Sequence, residues 1–243
     1  MGKRIYVQRR GKGSQLFRAA SQKRIAPLIY PSESDEAVYG IVEDLLHEPG
    51  RGAPIAHIRL ENGDSYYNVA VEGLHIGQRI GFGPNVPLHT GNVLLLRDIP
   101  SGTAICNLER KPGDGGKLVR SSGTSSTIVS HGQEVTSLRL PSRKNIDLRN
   151  MCRATIGLVG ASGRLEKPFM IAGERWAKLR AKGHRYPNVK GISMIASSHP
   201  HGGGRHRRSL KPTSVSRNAP PGQKVGLIAP KWSGRKKKQR GSR

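Results

Sequence analysis

From residue 37 to residue 159 the chain repeats one pattern: a short stretch of alternating or contiguous apolar positions, then a glycine, proline or asparagine turn. The stretches are AVYGIVEDLL (37–46), PIAHIRL (54–60), SYYNVAV (65–71), GQRIGFG (77–83) and NVLLL (92–96). A second group follows: GTAICNLE (102–109), STIVSH (126–131), VTSLRL (135–140), NIDLR (145–149) and CRATIGLV (152–159). A period near two over such lengths predicts strands. Asn62-Gly63 predicts a tight hairpin between the second and third, because that pair supplies positive φ values. Strands of about five residues with turns this frequent favour small closed or nearly closed barrels over an open sheet. Pro87, Gly91 and Pro100 punctuate the stretch 88–100 as a join. Two barrels of about 60–70 residues are therefore expected, each marginal alone and leaning on the other or on a partner.

Only GERWAKLRAKGH (173–184) carries a convincing helical pattern, with Trp176, Leu179 and Arg180 on one side and Gly183 placed to end it. Beyond it glycine, proline, serine and basic residues dominate, and the last stretch, KWSGRKKKQRGSR, is Lys or Arg at 7 of 13 positions. Such a composition buries too little apolar surface to offset about 1–2 kcal/mol of backbone ordering per residue. Both flanks are expected to be largely disordered alone in water.

Charge sharpens this division. The 243 residues carry a formal charge of +26, which puts a polyanion first among partners. All 16 acidic residues fall between Glu33 and Glu174, a span that nets −1, whereas residues 1–32 hold 8 Lys and Arg and residues 175–243 hold 19, neither with an acid. A neutral body with two basic arms is not the pattern of a merely solvated surface. Cys106 and Cys152 belong to no CxxC pair and read as two buried, reduced thiols. No stretch resembles a signal peptide or a membrane span, so an intracellular protein without a membrane partner is expected.

The candidate chemistry lies in SSHPHGGGRHRRS (197–209). His199, His201 and His206 invite a metal, but no carboxylate stands nearby to orient an imidazole, so no obligatory cofactor is expected. Magnesium shared with RNA phosphates is the one ion left open. Gly202, Gly203 and Gly204 let a backbone pass close to a crowded surface. Their N–H groups are candidates for phosphate oxygens, with Arg205, Arg207 and Arg208 beside them. His199 and His201 can stack on an unpaired base or donate to a 2′-hydroxyl. KPGDGGKLVRSSGTSS (111–126) resembles a phosphate loop but fails the nucleotide test, since Leu118 follows Gly116-Lys117 where Ser or Thr is required. It reads as a glycine-rich connection that leaves Lys111, Lys117 and Arg120 available to phosphate. In GKGSQLFRAASQKR (11–24), Phe17 is a candidate anchor for the first arm.

RRGKGSQLFRA, KPGDGGKLVRSSGT, CRATIGLVG, HPHGGG and RNAPPGQKVGLIA stand in the same order as in the second protein of the large ribosomal subunit. The first and last resemble its archaeal and cytosolic eukaryotic forms, and the resemblance spans nearly the whole chain. It implies an all-β fold of two small barrels in tandem, OB-fold then SH3-like, with long basic extensions at both ends. The implied divisions are a basic N-terminal extension at 1–35, the OB-fold barrel at 36–98, the SH3-like barrel at 99–171, and a short helix with a basic extension at 172–243. It implies a structural role in cytoplasmic ribosomes, with large-subunit rRNA and neighbouring large-subunit proteins as partners. It also implies extensions that reach toward the peptidyl transferase region, and a position near the small subunit that supports subunit association. No enzymatic activity and no small-molecule substrate are expected. In the family His199 falls close to the peptidyl transferase region, and its role is read as structural because peptidyl transfer is attributed to RNA.

Two departures stand out. Ser198 replaces a commonly acidic residue before His199, and Arg143 replaces a glycine in PSRKNIDL (141–148), so that turn is expected to be built differently. RNA contacts are expected from Arg9, Arg10, Lys12 and Arg18 in the first arm and from Lys117, Arg120 and Arg153 on the barrels. In the second arm they are expected from His199, His201, Gly202 to Gly204, Arg205, Arg207, Arg208, Arg217 and Lys224. Two alternatives remain open on the residues alone: an RNA-processing enzyme using His199 or His201 as acid or base, and a DNA-compacting protein.

Overall fold

The computed structural model describes residues 4–22, 24–32, 36–206, 208–209 and 211–230. Two compact units emerge, Ala20–Ile171 and a second built from Met1–Ala19 with Ala172–Arg243. The first is all-β. Its strands are β1 (Val38–Leu46), β2 (Ile55–Leu60), β3 (Ser65–Val69), β4 (Arg79–Phe82) and β5 (Val93–Leu95), then β6 (Ala104–Cys106), β7 (Ser126–His131), β8 (Val135–Arg139), β9 (Asn145–Arg149) and β10 (Arg153–Ile156). Every one lies inside a stretch that the alternation marks.

Among the described residues these strands form one ladder in the order β3-β2-β1-β4-β5-β10-β6-β7-β8-β9. Neighbours are antiparallel except β4 and β5, which touch in parallel at Phe82 and Val93. The five strands β1–β5 and the five strands β6–β10 are consistent with an OB-fold followed by an SH3-like arrangement. The join carries the expected strand within it, and that strand links the halves: β5 pairs with β4 on one side and with β10 on the other.

Alternation sets the faces. In β2, Ala56, Ile58 and Leu60 point to the core while His57 and Arg59 face outward, and β8 repeats this with Thr136 and Leu138 inside. Three apolar clusters result. One is built on Val42, Ile58, Ile80 and Phe82 of the first half. Another is built on Ile105, Ile128 and Leu138 of the second, with Leu94 and Leu96 of the first packed into it. The third holds Ile55, Val69 and Val71 from the first half against Cys106 and Val159 from the second, with Leu28 beside them. Neither half is left to bury its apolar surface alone, which answers the marginal size of each. Cys106 and Cys152 are free and buried as expected, and burial pushes their thiols up to about 12 and about 11.

One hairpin design occurs twice. The Leu60 N–H donates to the Asp64 carbonyl at 2.8 Å and the Gly63 N–H to the Leu60 carbonyl at 3.0 Å, with Gly63 at φ +89°. Leu140, Lys144 and Arg143 repeat these bonds at 2.9 and 2.8 Å, with Arg143 at φ +64°. This is a three-residue loop closed by a left-handed residue. The expectation of a differently built turn at Arg143 is corrected: the backbone keeps a glycine-like conformation, and an L side chain bears its strain.

The second unit departs from the expectation of two separate tails, because both ends of the chain belong to it. It contains α1 (Tyr6–Gly11), α2 (Ala172–Ala181) and a parallel pair, β11 (Ser214–Val215) with β12 (Leu227–Ile228). The Gln8 side chain accepts the Ile5 N–H at 2.9 Å at the start of α1, half of a capping box. Gly183, at φ +70°, ends the expected helix α2 by donating to the Arg180 carbonyl. Among the described residues of this unit only Ile5 and Val225 are buried. None of the described helices is long and apolar enough to cross a membrane.

Candidate RNA interface

The cationic side chains divide along the same line. The arm unit holds 25 Lys and Arg against the single acid Glu174, and the barrel unit is nearly balanced. Along β1, β2 and β4 the balance is local: Glu43 holds Arg59 at 2.7 Å and His57 at 3.0 Å, and Glu61, just after β2, holds Arg79 at 2.9 Å.

In the first arm Arg9, Arg10 and Lys12 lie on or directly after α1 and are exposed, as is Arg18. An unanticipated residue organises them. The Tyr6 ring has the guanidinium groups of Arg9, Arg10 and Arg185 at 5.9, 5.2 and 5.6 Å from its centroid, and Phe17 meets it edge-on at 5.4 Å. Phe17 thus packs on a neighbour within its own arm. The one sequence signal for Tyr6 was an aromatic residue set among arginines in IYVQRR.

On the barrels the three expected contacts fare differently. Lys117 is exposed. Arg120 is half-buried and donates to the Leu28 carbonyl; burial, then the neighbouring Arg51, lowers its guanidinium pKa. Arg164, which sequence reasoning passed over, donates to Ser122 in the same region. Arg153 is a correction. It is 5% exposed and its Nη2 and Nε donate to Glu109 Oε1 at 2.6 and 3.0 Å, while Nη1 donates to the Pro31 carbonyl at 2.8 Å. Its guanidinium also lies over Tyr30 and Phe82 at 5.5 and 5.3 Å. With 5% of it exposed and Nε, Nη1 and Nη2 each donating inside the fold, Arg153 serves here as an internal strut.

The loop that resembled a phosphate cradle is likewise filled by its own chain. Asp114 Oδ2 accepts the N–H groups of Arg110 and Lys111 at 3.0 and 3.3 Å, Asp114 Oδ1 accepts Gly116 at 3.1 Å, and Glu109 accepts Gly115 at 3.1 Å. These amides face carboxylates already.

In the second arm the HPHGGG turn is assembled from its own backbone. His199 Nδ1 accepts the His201 N–H at 3.0 Å, which leaves the neutral ring's proton on Nε2. The two rings meet edge-on at 5.2 Å. Gly191 lies flat against the His199 imidazole, where any Cβ would overlap the ring. Burial, and secondly His201, lowers the His199 pKa. The Gly202 and Gly203 N–H groups donate to the carbonyls of His199 and Met194 at 2.9 and 3.0 Å. A Cβ at Gly202 would meet the Ile195 and Met194 carbonyls. The expectation that Gly202 and Gly203 offer amides to phosphate is therefore corrected: their small size serves packing of the chain against itself. Gly204 is exposed at φ +85°, and Arg205, Arg208 and Arg217 are exposed, with Lys224 half-buried. Arg207 lies outside the described residues, as does the basic stretch 231–243. No three His, Cys, Asp or Glu side chains gather as a metal site among the described residues.

Comparison with known proteins joins these features to a family. Residues 4–81 match the model described as Ribosomal Proteins L2, RNA binding N-terminal domain, and residues 89–222 match Ribosomal Proteins L2, C-terminal domain. The large ribosomal subunit protein uL2 of Korarchaeum cryptofilum is 50% identical over 240 residues, covering 98% of each chain. That of Hyperthermus butylicus is 50% identical over 238 residues, covering 98% of this chain and 100% of the relative. That of Thermofilum pendens is 47% identical over 242 residues, covering 98% and 97%. With matches of this identity running nearly end to end, the chain belongs to the ribosomal protein L2 family, structural and non-enzymatic constituents of the large ribosomal subunit with RNA-binding domains.

Proposed function

We propose that the protein works in cytoplasmic ribosomes by binding large-subunit rRNA with both units, the arm unit supplying most of the contacts and the balanced barrel unit fewer. The observation that carries this is the pairing of 25 basic residues with only two buried apolar side chains among the described residues of the arm unit. Such a unit has little hydrophobic free energy against an ordering cost of about 1–2 kcal/mol per residue. Neutralising phosphates and releasing their counterions supplies what the core lacks.

In this proposal Arg9, Arg10, Lys12 and Arg18 contact the RNA from the first arm, and Arg205, Arg207, Arg208, Arg217 and Lys224 from the second. Lys117 and Arg120 contribute from the barrels. His199 is a structural donor: with Nδ1 occupied by a backbone N–H, its Nε2–H is directed to an RNA acceptor and has no lone pair for general-base work. Magnesium enters shared with RNA phosphates, without a resident cofactor. Neighbouring large-subunit proteins and the small subunit complete the partners, and the arms shape the surroundings of the peptidyl transferase region.

Two measurements test the proposal. Binding of the full chain to large-subunit rRNA, titrated against salt, should lose affinity linearly on a logarithmic plot, and duplex DNA should compete poorly at fixed salt. A flat salt response or a preference for DNA would refute it. Cleavage of structured RNA that disappears in His199→Ala would instead favour a processing enzyme.

A further inference from the structure

The arm unit contains a cleft of about 510 Å³ to which no occupant has been assigned above. One part of its lining is apolar and partly planar, from Tyr6, Pro187, Val189, Met194 and Ile195. The other part is cationic, from Arg4, Arg9 and Arg185. These three arginines also line an adjoining hollow of about 380 Å³ that reaches Phe17, so one row of guanidinium groups borders both spaces. No carboxylate lines either one, and Val189 and Ile195 stay 53% and 68% exposed.

An apolar chamber beside unopposed guanidinium groups calls for a ligand with a flat, weakly polar body and an anionic edge. We infer that the cleft seats a single unstacked nucleotide of the RNA, its base against Tyr6 and the apolar wall and its phosphate on Arg4, Arg9 and Arg185. The inference rests on the RNA-binding proposal above and adds a site to it. The volume lies within the range of roughly 300–1,000 Å³ that encloses a small organic group. Unpaired bases are held in this manner by aromatic rings and arginine planes, which act on any base through its π face. An acidic peptide would satisfy the arginines but would leave the apolar chamber without a planar occupant.

The test uses the full chain and two RNA hairpins identical except for one bulged adenosine, compared by fluorescence anisotropy at fixed salt. The bulged hairpin should bind about tenfold more tightly, the value of one stacked base. In Tyr6→Ala the ratio between the two hairpins should fall below about twofold, as expected when the stacking partner is removed, whatever common loss of affinity follows from freeing the arginines that the ring organises. Tyr6 also packs on Phe17, so Ile195→Glu serves as a second variant: this exposed position tolerates a carboxylate, which should abolish the preference by repelling the phosphate. Equal binding of both hairpins by the wild-type chain, or a preference that survives both substitutions, would overturn the inference while leaving RNA binding intact. Displacement of the bulged hairpin by a polyglutamate peptide but not by adenosine monophosphate would overturn it in favour of a protein segment. Failure to bind either hairpin or large-subunit rRNA would remove the RNA-binding proposal and this site together.

Discussion

Replacing Glu109 by glutamine should destabilise the barrel unit severely while leaving its RNA surface alone. The Glu109 carboxylate is 0% exposed and accepts four hydrogen bonds, from the Gly115 N–H and from Arg153 N, Nε and Nη2, at 2.6 to 3.1 Å. Glutamine keeps one acceptor oxygen, but its amide group must then face an N–H of Arg153, donor against donor, and the guanidinium loses its counter-charge in a dry setting. Breaking one side of a buried ion pair costs about 3–5 kcal/mol. For a chain of this size that lowers the melting temperature by roughly 10 °C, at about 2–4 °C per kcal/mol. Thermal unfolding followed by circular dichroism measures it. The double variant Glu109→Leu/Arg153→Met should recover part of the loss, because no charge is left stranded. Recovery stays incomplete, since the Gly115 and Arg153 amides lose their acceptor at about 1–3 kcal/mol each. A cost below about 1 kcal/mol for Glu109→Gln would refute the reasoning, since the pair would then be acting like an exposed ion pair. The double variant also decides the role of Arg153: its salt dependence of RNA binding should equal that of the wild type, whereas a slope reduced by about one would restore Arg153 as a phosphate contact.

Arg143→Gly should stabilise the protein by about 0.5–1 kcal/mol, the strain of a left-handed L residue less the added freedom of the unfolded chain; no gain in denaturant unfolding would argue against the strain assigned to that turn. His199 should appear by nitrogen NMR as the Nε2–H tautomer and titrate below the ordinary imidazole value of 6.5. Because its folded pKa is depressed, its contribution to the turn is present above the unfolded value and lost as pH falls through the folded one; a titration at or above the ordinary value would contradict this geometry. Gly191→Ala should displace the His199 ring and return its titration to the ordinary range, with no change in barrel stability. Arg205→Ala and Arg208→Ala should each lower the salt slope of rRNA binding by about one without affecting melting.

The ten strands were legible because each half-buried strand must alternate, and no neighbour is needed to see a period of two. The helix at 172–181 was legible through its spacing and Gly183, and the charge segregation was legible as a balanced body with cationic ends. What could not be read were pairings between distant residues. Arg153 looks like any surface cation until Glu109, forty-four positions earlier, is brought under it. Gly202 and Gly203 look like open amides until Met194 and His199 take their hydrogens. Tyr6 and Arg185 are separated by the whole barrel unit in sequence, and no local pattern joins them into one cleft.

The amino-acid sequence by itself determined which segments become strands, where the chain turns, and that a balanced body carries cationic ends, since these follow from side-chain periodicity and charge along a line. Tertiary structure alone decided which cations remain available to a ligand and which are consumed inside the fold. The reason is physical: a guanidinium or an amide N–H acts outward only if no acceptor lies within about 3 Å, and that acceptor is supplied by chain folding back from far away.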